Sequence, residues 1–458
     1  MSFARWRASG REAAVIGLGR SGVAAALLLR REGLRVYASD GAKDLSQTAG
    51  AEAPAIERRL NDAGIDFQLG GHDLQRIGRA GVVVVSPGVP PTAPPLVAAR
   101  DAGVPVVSEL DVGYAALTGV KFAVITGTNG KTTTTALTGH LLQAAGFRAV
   151  TAGNIGTPLA QVALEKNRPE WVALEASSFQ LHDTFDLVPA IGAMTNLAPD
   201  HLDRYATLEE YYADKDRLYR NATAVSCWVT NGDDPEVERR ATGKRGDRLR
   251  FRLGTPADGW YDRNTRQLRL GDAELLPRDA FPLLGDHNVA NALCAALVAT
   301  RAGGEPTPIA RGLTTFRALP HRMEPVGEVN RVLWINDSKA TNVASTMVAV
   351  QAMDRPFVLL LGGRHKGEPY SALAAPAAPL CRGVIAFGES RDIVVQDLEG
   401  RLPVVKKGSD FAEVIGAAAE LARPGEAVLL SPACSSYDMF KNYEERGAQF
   451  RAAVEGMR

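Results

Sequence analysis

A chain of 458 residues is long enough for two to four domains, each burying its own core. Hydrophobic residues make up 45% and charged residues 23%, with 45 glycines and 26 prolines, the make-up of a globular protein rich in turns. Lys plus Arg and Asp plus Glu both number 52, so there is no basic excess for nucleic acid or an anionic membrane, and no apolar run reaches the roughly 18 residues that span a bilayer.

Arg5, Arg7 and Arg11 precede a mostly apolar stretch, as in a secretion signal, but Arg20 interrupts it. That stretch reads better as a strand at Ala13–Gly17, a glycine loop, a helix at Val23–Arg31 and a strand at Leu34–Ala38. Gly17-Leu18-Gly19-Arg20-Ser21-Gly22 matches the G-x-G-x-x-G pattern, and Asp40 follows about 20 residues later at a strand end. Such a loop lets a diphosphate approach a helix N-terminus, and the acid can accept hydrogen bonds from a ribose. NAD and a UDP-linked substrate both satisfy it, and so does a turn with no ligand whose Asp40 merely caps the backbone. A further strand at Gly81–Ser86 ends in the turn Pro87-Gly88-Val89-Pro90-Pro91.

The second block has strands at Phe122–Thr126, Trp171–Glu175, Ile191–Thr195 and Cys227–Thr230. After the first comes Gly127-Thr128-Asn129-Gly130-Lys131-Thr132-Thr133, a phosphate-binding turn with only two residues between its glycines where the common loop has four. Lys131 supplies a point charge, a threonine hydroxyl can hold Mg²⁺, and ATP or GTP becomes the expected ligand. The shortened loop argues against a switch GTPase and for a ligase. Gly153-Asn154-Ile155-Gly156 is a polar turn after a strand. Glu175 and His201 stand beyond two other strand ends, where ligands of a parallel sheet gather, and are candidate Mg²⁺ ligands. Lys215, in Asp214-Lys215-Asp216-Arg217, reads from spacing alone as an exposed helical lysine. Ala241–Leu276 reads as an antiparallel excursion, and the helix Asn288–Thr300 closes the block. His287, Asn288 and Asn291 open that helix, either as caps and packing or as contacts to ATP.

The third block has strands at Val332–Asn336, Phe357–Leu361, Gly383–Phe387 and Ala427–Leu430, and Ala374–Pro379 reads as a loop. Parallel sheets are expected throughout, with boundaries near residues 110 and 318. Cys227, Cys294, Cys381 and Cys434 are scattered without zinc spacing, so reduced, mostly buried thiols and a cytosolic location are expected.

Taken in order, Gly127–Thr133, Gly153–Gly156, Glu175–Gln180, Asp200–Asp203, His287-Asn288, His321-Arg322, Asn336–Asn342 and Ser431–Gly447 resemble the Mur ligase family over essentially the whole chain. The resemblance implies three α/β domains. These are a Rossmann-like domain over 1–109 for a UDP-linked substrate, a central ATP-binding domain over 110–318 with the antiparallel excursion, and a Rossmann-like amino-acid domain over 319–458. Within the family, Trp334–Asn342 and Ser431–Gly447 are most similar to members that join D-glutamate to UDP-N-acetylmuramoyl-L-alanine.

The UDP-linked substrate then falls to Gly19, Arg20, Ser21 and Asp40, with Gly88, Asn154 and Ser177. ATP falls to the loop Gly127–Thr133 (Gly127, Thr128, Asn129, Gly130, Lys131, Thr132 and Thr133), with Asn288, Asn291, Arg322 and Asp337. Arg322 and Asp337 are expected to meet the nucleotide when the third domain closes. The resemblance implies that Lys215 carries a CO₂-derived carbamate able to ligate Mg²⁺. Two metal sites follow, one with Thr132 and Glu175 and one with His201 and Lys215. Lys131, His201 and Lys215 are the expected catalytic groups, His201 also helping to deprotonate the incoming amine. D-glutamate falls to Thr341, Lys366, Ser436 and Tyr443. The pair Arg364-His365, beside Lys366, departs from the family pattern. A cytoplasmic monomer acting on small molecules is expected.

Overall fold

The computed structural model describes residues 3–154, 156–201 and 204–457. Ile155, Leu202 and Asp203, which belong to two of the motif runs above, lie outside the described residues. The chain divides into two compact units, residues 1–278 with 290–314, and residues 279–289 with 315–458.

The first unit holds two sheets. One contains β1 (Ala13–Ile16), β2 (Val36–Asp40), β3 (Asp66–Leu69), β4 (Val82–Val85) and β5 (Val106–Ser108), in the order 3-2-1-4-5 and parallel throughout. The runs Ala13-Ala14-Val15-Ile16 and Val82-Val83-Val84-Val85 are buried at every position, as strands covered on both faces must be. The other sheet contains β6 (Lys121–Thr126), β7 (Ala149–Gly153), β8 (Trp171–Glu175), β9 (Ile191–Met194), β10 (Cys227–Asn231), β11 (Asp247–Leu253), β12 (Gly259–Asp262), β13 (Gln267–Leu270) and β14 (Ala273–Pro277). Its order is 14-13-12-11-10-9-6-8-7, so β6 lies between β8 and β9. The three strands followed by Gly127–Thr133, Glu175 and the segment of His201 are therefore side by side.

The second unit holds β15 (Glu324–Val329), β16 (Val332–Asn336), β17 (Phe357–Gly362), β18 (Cys381–Phe387), β19 (Val404–Lys406) and β20 (Ala427–Leu430), in the order 15-16-20-17-18-19. Among the described strands of this sheet, β15 and β16 alone pair antiparallel. β15 escapes a pattern reading because its run Glu324-Pro325-Val326-Gly327 breaks alternation, and the pairing register shifts between Pro325 and Gly327.

Three expectations need correction. The excursion is antiparallel only from β12 to β14, because β11 pairs in parallel with both β10 and β12. Alternation along a strand reveals which face is buried, not the direction of its neighbour. Ala374–Ala377 is a short helix rather than loop, its alanines Ala374 and Ala377 buried. The helix expected from Val23 begins at Arg20, so Arg20-Ser21-Gly22 forms its opening turn, and a short helix at Phe3–Ala8 precedes it. The four cysteines are free and buried, as expected. Among the described residues no helix is long and apolar enough to cross a membrane.

Candidate active site

The glycine loop after β6 is shaped by close packing. Gly127 has φ +142°, and a Cβ there would lie 2.0 Å from Thr195 Oγ1. Gly130 caps the helix Lys131–Ala144 with φ +79°, and a Cβ there would lie 2.4 Å from Asn291 Oδ1. The segment after β9 holds the loop from the other side. Asn129 N–H donates to Asn196 Oδ1 at 2.8 Å, and Thr128 N–H donates to the Asn196 carbonyl at 2.8 Å. The Lys131 ammonium folds back onto the Thr128 carbonyl at 2.7 Å. Thr134 Oγ1 donates to Asn291 Oδ1 at 3.0 Å, which brings Asn291 to the loop.

Lys215 is not an exposed lysine. It is 1% exposed, on the helix Leu208–Asp216, and its Nζ donates to the Gly127 carbonyl at 2.6 Å. Burial, with the charge of Lys131 adding to it, holds this amine well below the usual lysine range. Tyr211, one turn earlier on the same helix, lies under it with 4.6 Å from Nζ to the ring centre, and its hydroxyl donates to Thr128 Oγ1 at 3.3 Å. Tyr211 was missed in the sequence, although its i,i+4 spacing from Lys215 is a legible signal.

Glu175, at the end of β8, is 1% exposed. Its Oε1 accepts from Asn154 Nδ2 at 2.7 Å, while Oε2 is buried and has no hydrogen-bond partner among the described residues. An unsatisfied buried carboxylate oxygen costs about 1–3 kcal/mol, so a cation at this spot would relieve it. The hard oxygen donors here fit Mg²⁺.

His201 lies on the segment after β9 with a left-handed backbone, φ +54°. Its carbonyl accepts from Arg204 N at 3.0 Å and Tyr205 N at 3.1 Å. The ring packs 4.8 Å from Phe179 and 6.0 Å from Tyr211.

In the N-terminal glycine loop, a Cβ on Gly22 would lie 1.8 Å from the Gly17 carbonyl, so only glycine allows this turn. Gly19 caps the helix, and the exposed Arg20 guanidinium reaches the Gly156 carbonyl at 2.8 Å. Ser21 is half-buried in the first turn, and Gly88 is exposed on the turn after β4. Asp40 accepts from Leu18 N–H at 2.6 Å and Ala42 N–H at 2.8 Å, so its carboxylate shapes the loop. Ser177 forms a capping box with Gln180 at the start of the helix Ser178–His182.

The second unit gathers a separate set of groups. Asp337, beyond β16, accepts from Ser431 Oγ at 2.8 Å and Met323 N–H at 3.1 Å, and burial pushes its carboxyl up to about 7. Arg446, fully buried and missed in the sequence, donates to Ser338 Oγ, the Ser338 carbonyl and the Cys434 carbonyl. It thereby ties the loop carrying Asp337 to the loop carrying Ser436. Tyr443 opens the helix Tyr443–Gly456, with Lys339 Nζ 3.8 Å over its ring. Ser436 is buried, Thr341 and Arg322 are half-buried, and Lys366 is exposed. Asn288 also belongs to this unit, its amide donating to the Leu284 carbonyl at 2.7 Å.

Parallel α/β sheets, a short glycine loop at a helix start, a buried lysine reaching that loop and a buried carboxylate at a neighbouring strand end make up a candidate nucleotide-phosphate site. Three family models match the chain in order: Mur ligase MurD-like, N-terminal domain, over residues 11–108; Mur ligase middle domain over 125–299; and Mur ligase, glutamate ligase domain, over 321–434. The chain is 40% identical to the UDP-N-acetylmuramoylalanine--D-glutamate ligase of Salinibacter ruber, across 97% of both chains. It is 39% identical to the protein of the same name from Geotalea uraniireducens, again across 97% of both. Among solved structures it shares the fold of the UDP-N-acetylmuramate-alanine ligase of Thermotoga maritima, with TM-score 0.60 and 20% identity, covering 98% of this chain and all of that one. The chain belongs to the Mur ligase family.

Proposed function

We propose that this protein joins D-glutamate to UDP-N-acetylmuramoyl-L-alanine at the expense of ATP, a cytoplasmic step in building peptidoglycan precursors. The observation that carries the substrate assignment is the likeness across 97% of both chains to ligases of that name. We read residues 1–109, 110–318 and 319–458 as the regions for the UDP-linked substrate, ATP and the amino acid, in a monomer.

A free carboxylate is a poor electrophile, so it must first be activated. The alanyl carboxylate of the substrate attacks the γ-phosphorus of ATP: an O–P bond forms, and the bond from that phosphorus to the bridging oxygen of ADP breaks. The D-glutamate amine then attacks the acyl carbon of the resulting acyl-phosphate. A C–N bond forms, the C–O bond to phosphate breaks, and the amine proton is lost.

The residues of the chain contribute mainly position and charge. The loop Gly127–Thr133 cradles the phosphates, and Lys131 leaves the Thr128 carbonyl to neutralise them. Asn291 packs against the loop and keeps it in shape. Thr132, Glu175, His201 and a carbamate on Lys215 would hold Mg²⁺, which when bound supplies charge neutralisation on the phosphates. Burial favours the uncharged form of the Lys215 amine, which can attack CO₂ with loss of a proton to give an anionic carbamate beside the loop. Thr341, Lys366, Ser436 and Tyr443 supply donors for the two carboxylates of D-glutamate.

The test is product analysis. Incubation of the protein with ATP, Mg²⁺, UDP-N-acetylmuramoyl-L-alanine and D-glutamate should yield the amide by mass. Omitting D-glutamate and adding hydroxylamine should trap the acyl-phosphate as a hydroxamate. Neither product would end this reading.

A further inference from the structure

His201 is mechanically linked to the loop that shapes the N-terminal glycine turn, through a residue with no assigned role. The chain of contacts starts at Gly17, whose carbonyl accepts from Ser86 Oγ at 2.9 Å. A Cβ on Gly17 would lie 2.9 Å from Ser86 Cβ and 3.1 Å from Val89 Cγ2, so the glycine turn and the 86–89 turn are packed without slack. Arg204 then grips the second turn, donating from its two terminal nitrogens to the Pro87 carbonyl at 3.3 Å and the Val89 carbonyl at 3.1 Å. Its guanidinium lies 3.7 Å from the centre of the Phe179 ring, and that ring packs 4.8 Å from His201. The backbone closes the circuit, since Arg204 N–H donates to the His201 carbonyl.

Two features mark this as more than packing. The left-handed conformation of a non-glycine residue such as His201 has to be held by its surroundings. A planar guanidinium can also bridge two carbonyls while lying flat on a ring, which a lysine ammonium cannot do.

We propose that Arg204 is a positioning residue that couples the seat of the nucleotide-linked substrate to His201, so that the turn at Pro87–Val89 and the catalytic histidine keep one fixed spacing. The inference rests on the proposed function.

The test compares wild type, Arg204→Lys and Arg204→Ala in the full chain, by steady-state kinetics with UDP-N-acetylmuramoyl-L-alanine, ATP and D-glutamate. Arg204→Lys should raise the KM for the nucleotide-linked substrate about tenfold and lower kcat, with the ATP KM within about twofold, since a charge-assisted contact to two carbonyls is lost. Arg204 lines a cavity of about 290 Å³ with Phe179 and Tyr205, so Arg204→Ala leaves room for a free guanidinium ion. A few millimolar guanidine hydrochloride should restore part of the activity of Arg204→Ala and none of that of Arg204→Lys. Unchanged kinetics in Arg204→Lys, or an equal rise in both KM values, would overturn the coupling, whether or not Arg204→Ala folds. A wild-type enzyme inactive on this substrate would instead overturn the reading on which the inference rests.

Discussion

The Lys215 amine and the Gly127 carbonyl are joined by a hydrogen bond of 2.6 Å, which ties a buried lysine to the first glycine of the phosphate loop. The carbamate proposed for Lys215 would put an anion beside that glycine. Lys215→Ala should therefore lower turnover about 10²–10³-fold or more. A small carboxylate such as formate or acetate, added in solution, should restore part of it. Full activity in Lys215→Ala would remove the carbamate from the mechanism.

Gly130→Ala tests the shape of the loop. The substitution puts a side chain into a left-handed position, costing about 1–2 kcal/mol, and into collision with Asn291 Oδ1. The ATP KM should rise about tenfold or more, and chemical denaturation should show the loss of stability. Adding Asn291→Ala relieves the collision but not the backbone, so the double variant should recover only in part.

Glu109 is fully buried, accepts from Ala160 N–H with one oxygen, and has no hydrogen-bond partner among the described residues for the other. Burial raises its pKa from 4.5 to about 7, against the lowering effect of the Ala160 N–H. A raised folded-state pKa means that the folded protein holds the proton more tightly than the unfolded chain. The stabilisation is then complete below about pH 4.5 and is lost as pH rises to about 7. Glu109→Gln keeps the acceptor without the charge. It should gain stability relative to wild type as pH rises through that window, by up to about 3 kcal/mol. Parallel urea titrations at pH 5 and pH 8 read this directly, and a constant difference would show that Glu109 does not titrate there.

Lys366 is exposed on the loop after β17. Lys366→Ala should raise the D-glutamate KM about tenfold while the ATP KM stays within about twofold. Equal changes in both would remove Lys366 from the amino-acid site.

Much of this site is legible in the sequence, for identifiable reasons. The Phe122–Thr133 run states its own geometry, since an apolar strand, two glycines and Lys-Thr-Thr leave few alternatives. Glu175 and His201 follow from strand ends and parallel topology alone. Lys215 could not be read from its surroundings, because Asp214, Asp216 and Arg217 look like a solvated face. Its burial comes from Gly127 and Tyr211 packing on one side of the helix. Arg446 was hidden for a related reason: its acceptors on Ser338 and Cys434 come from two other loops, and local sequence gives only the exposed acidic start of a helix. Arg204 was illegible because its partners are carbonyls, which carry no side-chain signature.

The central claim is the identity of the acceptor and the amine. The most direct measurement is phosphate release by the purified protein with ATP, Mg²⁺ and UDP-N-acetylmuramoyl-L-alanine, adding D-glutamate, L-glutamate and other amino acids separately. Release should depend on D-glutamate, with L-glutamate giving a rate lower by orders of magnitude. Release with a different amino acid, or none with any, would contradict the claim.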